Sequence, residues 1–366
     1  MKTKSTYRYL FAGGGTGGHI FPAIAVAQQI RLLQPEAEIL FIGTNNKIEA
    51  TAVPFSGFEF KSIWISGFKR KRTVENLLFP LKVFVGIMQS LWINIIFQPR
   101  VAIGTGAYVS GPAIWAASVI GAKIILLEQN SYPGFTNRLL EKKAQQIHIS
   151  FEDSKKYFRE QSKILLTGNP IRINLVLKDH KESVEHYKLD SSKSVLIILG
   201  GSLGARSINK AVLQNLPKLI EAKIQVLWQC GKLYYDEYKH LESESVKVIP
   251  FVDDMSTLYS AADLILARSG ATTIAEVSFL GLPVIFVPST NVAENHQYLN
   301  AKSIVDKDGA ELIEDKDLNN SLSDKVIKLI NDKERKELLS KNIKLFSKPD
   351  AANIVAKEAI KLSEIV

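Results

Sequence analysis

A strand, a glycine-rich turn and a helix follow one another twice in this chain, half a chain apart, and no other feature constrains the fold as tightly. The first copy is the apolar run Tyr7–Ala12, the turn Gly13-Gly14-Gly15-Thr16-Gly17-Gly18 and a helical stretch from Ile20 to Leu33. The second is Val195–Leu199, Gly200-Gly201-Ser202-Leu203-Gly204 and a helix over Ala205–Leu216. Further apolar runs follow in each half: Glu38–Ile42, Val101–Ile103 and Lys123–Leu127, then Ile224–Gln229, Val246–Pro250, Leu264–Ala267 and Pro283–Val287. Parallel strands need a crossover, usually a helix, so this alternation predicts βαβ units and parallel sheets. A chain of 366 residues has room for two such domains. The reading is an α/β protein of two doubly wound, Rossmann-like domains facing a cleft. The joint is expected at the turn-rich Thr167-Gly168-Asn169-Pro170, giving domains 1–166 and 167–348. After Pro349, residues Ala352, Val355, Ala359, Leu362 and Val366 recur three or four apart. That spacing predicts an amphipathic helix over about 349–366, expected to pack back on the first domain.

Each turn sits where such folds bind ligands, at the carboxyl edge of the sheet. Glycine lets the backbone turn tightly, and the helix that follows offers unpaired N–H groups and partial positive charge to an anion. No Gly-Lys-Ser/Thr follows, which excludes a P-loop. The second strand ends Ile42-Gly43-Thr44-Asn45, without the acidic residue of a nicotinamide-nucleotide site. His19 opens the first helix at that edge, and histidine can accept a proton from a hydroxyl near neutrality. In the second half, Arg268-Ser269-Gly270-Ala271-Thr272-Thr273-Ile274-Ala275-Glu276 follows a strand and starts a helix. Its N–H groups can cup a diphosphate, with Ser269 as the expected cap, and Glu276 can accept both hydroxyls of a ribose. The polar stretch Pro288–Gln297 is placed to bond sugar hydroxyls. The pairs Asp306/Asp308 and Asp315/Asp317 each enclose a lysine and read as solvated surface charge. No cluster has metal-ligand spacing, so no metal site is expected.

The net charge of +9 is unevenly spread. Residues 1–163 hold 20 Lys/Arg against 10 Asp/Glu; residues 164–366 hold 26 against 27. A basic half points to a polyanionic partner. A nucleic-acid reading lacks any clustered aromatic-basic motif, so none is expected. The single cysteine, Cys230, excludes an internal disulfide and fits a reducing compartment. The first residues reach glycine before any useful apolar run, which argues against a signal peptide.

The segment Phe68–Phe97 breaks the alternation. A basic tetrad, Lys69, Arg70, Lys71 and Arg72, precedes a long apolar run interrupted by Pro80, Lys82, Gln89 and Asn94. The run approaches the roughly 20 residues of a membrane span. Three readings stay open on these residues alone: a buried helix pair, a span, or a face resting on a membrane.

The blocks GGGTGGHIFPAIAVA at 13–27, GAYVSGPAIWAA at 106–117, EQNSYPGFTNRLL at 128–140, TGNPIR at 167–172, GGSLGARSIN at 200–209 and RSGATTIAEVSFLGLPVIFVP at 268–288 together resemble the MurG family. These are bacterial N-acetylglucosaminyltransferases of peptidoglycan synthesis. The resemblance implies a GT-B fold and an inverting transfer from UDP-N-acetylglucosamine to the C4 hydroxyl of the muramoyl sugar of lipid I, giving lipid II. It implies no metal cofactor, and peripheral attachment to the cytoplasmic face of the bacterial membrane. Carried over by position, it implies donor contacts at Thr16, Gly17, Gly18, Asn130, Arg172, Ser202, Val252, Ala271, Thr272, Thr273, Ile274, Ala275, Glu276, His296 and Gln297, with Val252 reading uracil through its backbone. His19 is the expected general base. The four basic residues would meet anionic headgroups of the membrane surface, and Leu78, Phe79, Phe84 and Trp92 would dip into the interface. Rival readings are an enzyme of the same fold with another acceptor, or a UDP-sugar epimerase.

Overall fold

The computed structural model describes residues 7–67, 77–201, 203–290 and 292–365. Ser202 and the tetrad Lys69, Arg70, Lys71 and Arg72 lie outside the described residues. The chain divides into two compact units, Met1–Arg172 with Lys348–Val366, and Ile173–Ser347. The division falls at residues 172/173 and 347/348, a few residues from the turn at 167–170.

The first unit holds seven strands: β1 (Arg8–Ala12), β2 (Glu38–Gly43), β3 (Glu59–Ser62), β4 (Val101–Gly104), β5 (Lys123–Glu128), β6 (Gln146–Ile149) and β7 (Ile164–Leu166). They form one sheet in the order β3-β2-β1-β4-β5-β6-β7, with every pair parallel. The second unit holds β8 (Val195–Leu199), β9 (Gln225–Gln229), β10 (Val246–Ile249), β11 (Leu264–Ala267), β12 (Val284–Phe286) and β13 (Glu311–Leu312). Their order is β10-β9-β8-β11-β12-β13, again all parallel. Strands buried on both faces read as continuous apolar runs, as Val195-Leu196-Ile197-Ile198-Leu199 does.

In both units the order runs one way from the first strand and then back across it. The switch points therefore lie between β1 and β4, and between β8 and β11. Ligands of open α/β sheets bind just outside the carboxyl ends of the strands at such points. The turns Gly13–Gly18 and Thr105-Gly106 flank the first switch point; Gly200–Gly204 and Arg268–Gly270 flank the second.

The terminal helix, Ala351–Glu364, belongs to the first unit. Val355, Ala356, Ala359 and Leu362 join the core built on Tyr9, Phe11, Ile20 and Ile24. Ser363 ties it down: its hydroxyl lies 2.9 Å from Tyr9 Oη, and its carbonyl accepts from Arg100 Nη1 at 2.7 Å.

The helix Phe79–Phe97 inverts the usual pattern. It has 19 residues and a mean hydropathy of 1.5, yet its fully buried residues are Gly86, Ser90, Ile93 and Asn94. Gly86 and Ser90 let it approach its own domain closely. Asn94 Nδ2 donates to Ser90 O at 2.8 Å and to Ala113 O at 3.3 Å. The large apolar side chains face outward: Leu78, Leu81, Phe84, Met88, Trp92, Ile95 and Ile96 are all exposed, with Phe84 at 61% and Trp92 at 67%. Phe79, expected among them, is only half-buried and sits off the exposed stripe.

Candidate active site

In the first unit, His19 stands at the start of the helix Gly17–Leu33. Its Nδ1 is 2.8 Å from Thr105 O and 3.0 Å from Gln129 Oε1. Both are acceptors, so Nδ1 carries the proton and donates. The lone pair is thereby placed on Nε2, the tautomer a general base needs. Gly106 packs on the ring: a Cβ there would come within 3.2 Å of His19 Cε1. Three loop segments, from β1, β4 and β5, thus fix one imidazole.

Behind it lies Glu128, buried at the end of β5. Its carboxylate accepts from the backbone N–H of Asn130 and of Gly134, each at 3.0 Å, and from Asn137 Nδ2 at 2.8 Å. Burial pushes its pKa up, opposed by those hydrogen bonds and by the nearby imidazole. The result is a rigid Glu128-Gln129-Asn130 corner that presents the Gln129 amide to His19.

The glycine turn divides into two kinds of residue. A methyl group at Gly13 would run into Thr105, and one at Gly14 into Glu49. Those two glycines make room for the protein's own side chains. Gly15, with φ near +80°, has open space where its side chain would be. Thr16 is exposed and opens the helix in extended backbone, its side chain making no cap hydrogen bond. The N-terminus at Gly17 and Gly18 is therefore not closed by its own cap. Arg172 lies over the Phe21 ring of the same helix, 5.0 Å from its centroid.

In the second unit, Gly270 opens the helix Ala271–Leu280, which carries Thr272, Thr273, Ile274, Ala275 and Glu276. Ser269, the expected cap, instead donates its hydroxyl to Gln297 O at 2.8 Å. The Gln297 side chain accepts from Ser289 N at 2.9 Å, which orients its amide; His296, half-buried, starts the helix His296–Val305 that carries Gln297. Glu276 is buried, and Tyr259 Oη donates to its Oε2 at 2.8 Å. Tyr259 sits on Met255–Ser260, a helix capped by Asp254, whose side chain accepts from Thr257 N. Lys178, 2.6 Å from the Asp254 carboxylate, and the Thr257 hydroxyl hold its pKa well below the usual carboxylate range. Val252, buried just before, completes this edge.

Beside the second glycine turn is a cavity of about 520 Å³, lined by Gly200, Gly204, Arg206, Lys210, Arg268, Ser289 and Gln297 among others. Arg268 forms its wall. The guanidinium donates to Asp315 Oδ1 at 2.7 Å, to Val287 O at 3.0 Å and to Ser207 Oγ at 2.5 Å. Asp315 is therefore not solvated surface charge: its side chain is only 16% exposed and belongs to this wall. Among the described residues no group of three or more His, Cys, Asp or Glu side chains could hold a metal ion.

Residues 9–149 match the glycosyltransferase family 28 N-terminal domain, and residues 195–355 the family 28 C-terminal domain. A protein of Flavobacterium psychrophilum is 43% identical over 361 residues, 98% of either chain. One of Cytophaga hutchinsonii is 40% identical over 366 residues, 99% of this chain and 98% of its own. Both are named UDP-N-acetylglucosamine–N-acetylmuramyl-(pentapeptide) pyrophosphoryl-undecaprenol N-acetylglucosamine transferase. The chain belongs to glycosyltransferase family 28.

The solved structure of Acinetobacter baumannii MurG matches it with a TM-score of 0.74 at 24% identity, covering 97% of this chain and 99% of that one. The family 28 chain thus has the GT-B fold, two Rossmann-like domains. Of the residues read from its sequence, His19, Thr16, Gly17, Gly18, Asn130 and Arg172 fall in the first unit. Val252, residues 271–276, His296 and Gln297 fall in the second. The sequence reading missed Thr105, Gln129, Glu128 and Asn137 around His19, Tyr259 behind Glu276, and the Ser207–Asp315 support of Arg268. Glu128, Gln129 and Asn137 left a signal as part of the block 128–140 that contains Asn130, and Ser207 as part of the block 200–209.

Proposed function

We infer that this chain transfers N-acetylglucosamine from UDP-N-acetylglucosamine to the muramoyl sugar of undecaprenyl-diphosphate-linked MurNAc-pentapeptide, converting lipid I to lipid II. The observation that carries the reading is full-length identity of 40–43% to relatives that share this one named activity. His19 Nε2 takes the proton of the C4 hydroxyl as that oxygen attacks the anomeric carbon. The C1–O bond to UDP breaks, the anomeric configuration inverts, and the products are a β-1,4-linked disaccharide and UDP. Glu276 receives the ribose, Val252 the uracil, and Gln297 the sugar hydroxyls. The helix N-terminus at Ala271 meets the diphosphate, and Arg268 adds positive charge nearby. This leaves the chemistry to side chains and helix dipoles, without a metal cofactor. Labelled donor incubated with and without a lipid I analogue tests the reaction. Acceptor-dependent disaccharide is expected; UDP release equally fast without acceptor would overturn it.

The same reading places the enzyme on the cytoplasmic face of the bacterial cell membrane, because the acceptor's lipid cannot leave the bilayer. The support is the Phe79–Phe97 helix, which buries Gly86, Ser90, Ile93 and Asn94, is tied to Ala113 O through Asn94 Nδ2, and is apolar outward. A helix packed along one side on its own domain can lay its apolar side on the interface without crossing the bilayer. Each buried Phe or Trp side chain contributes about 1.5–3 kcal/mol and each basic residue near the surface about 1 kcal/mol. The double variant Phe84→Ser/Trp92→Ser should lose sedimentation with anionic vesicles. Replacing Lys69, Arg70, Lys71 and Arg72 by glutamine should do the same, and high salt should release the wild type in part. Activity on a short-chain soluble acceptor should survive in both variants. Sedimentation indifferent to salt and to all substitutions would rule out this face.

A further inference from the structure

The first glycine turn is held from behind by a buried carboxylate that the transfer chemistry does not use. Glu49 is fully buried at the start of the helix Glu49–Phe55. Its Oε1 accepts from Thr44 N at 3.1 Å and from Thr44 Oγ1 at 2.7 Å. Its Oε2 accepts from Gly15 N at 2.9 Å. One carboxylate therefore ties together the loops that leave β1 and β2. Two glycines exist to admit it: a methyl at Gly14 would run into the carboxylate, and one at Gly43 would lie 2.6 Å from Glu49 Cγ. A buried carboxylate is costly unless hydrogen-bonded, and here all three bonds go to loop groups at the switch-point edge of the sheet. Gly15 is two residues before the helix that carries His19, and four before His19 itself.

We propose that Glu49 is a positioning residue: by holding Gly15 N–H it fixes the entry of the Gly17–Leu33 helix and so the placement of His19 Nε2. This rests on the transfer reading and deepens it. Glu49→Gln tests it with little change of shape. A carboxamide has one acceptor oxygen. In either orientation its NH₂ faces a backbone N–H, that of Gly15 or that of Thr44. Misplacement of a reacting group by about 1 Å can cost about 10²-fold, so kcat for acceptor glycosylation should fall by about that factor. Equilibrium binding of UDP, measured by calorimetry on the same preparation, should fall far less than kcat, because Val252 and Ala271–Glu276, read as meeting the uracil, diphosphate and ribose, belong to the second unit. Thr44→Val removes the hydroxyl bond to Glu49 and leaves Gly15 held; its kcat should stay near wild type. Two results would overturn the proposal. One is Glu49→Gln with near-normal kcat. The other is a loss of UDP binding in step with activity, which would mark Glu49 as a general support of the fold. The wild type, run in the same assay, shows whether transfer occurs at all, so failure of the transfer reading is seen separately.

Discussion

His19→Ala should lower kcat by about 10²–10⁴-fold, the contribution usual for general acid–base catalysis. Its Nδ1–H is committed to Thr105 O and Gln129 Oε1, and that commitment places the accepting lone pair on Nε2. An interaction made only as the hydroxyl loses its proton lowers kcat and kcat/KM together. UDP binding should change little, because the substitution leaves the donor contacts Thr16, Gly17 and Gly18 in place and the residues read as meeting uracil, diphosphate and ribose, Val252 and Ala271–Glu276, belong to the second unit. Gln129→Leu should cost much less, because Thr105 O still holds the tautomer. A His19→Ala enzyme with near-normal kcat would remove His19 from the proton transfer.

Glu276→Ala should weaken UDP binding by about 1.5–3 kcal/mol, the range for hydrogen bonds to a charged group. At about 1.4 kcal/mol per factor of ten, that is roughly 10- to 150-fold in Kd. The carboxylate is buried and oriented by Tyr259 Oη at 2.8 Å. A ribose lacking one hydroxyl leaves part of that carboxylate without its ligand bond, so the wild type should prefer UDP to 2′-deoxy-UDP. The Ala variant should bind both alike. Tyr259→Phe keeps the carboxylate but frees its orientation, and should cost about 0.5–1.5 kcal/mol. Calorimetric titration of UDP and its deoxy form into the three proteins reads all of this. An Ala variant that still discriminates would place the ribose contact elsewhere.

Much of the site was legible because its signals are local. A turn of Gly13–Gly18 between an apolar run and a helix can be read from neighbouring residues alone. So can the cap region before Ala271 and the step from Ala271 to Glu276. What failed did so at positions whose partners are far along the chain. Asp315 sits in an acidic, lysine-interrupted stretch that reads as solvated, yet it meets Arg268 across 47 residues. Ser269 has a cap's identity and position, but its hydroxyl is taken by a carbonyl 28 residues on. The segment Phe79–Phe97 carries the composition of a span or a core helix alike. Burial of Gly86, Ser90 and Asn94 decided which side of it faces out.

The sequence by itself determined the class of fold, the two-domain plan, the family and the glycine-rich turns at the strand ends. The fold class, the two-domain plan and the turns follow from short-range periodicity and turn chemistry, which the chain cannot escape wherever it folds; the family follows from the resemblance of whole sequence blocks. Only the tertiary structure decided which nitrogen of His19 is free, why Gly14 and Gly43 must be glycine, and what holds Arg268 and Glu276 in place. Parallel strands bring together the loops at their carboxyl ends, so residues 34, 86 and 110 positions apart share single hydrogen-bonded groups. Those contacts depend on strand order and register, and no local pattern in the chain encodes either.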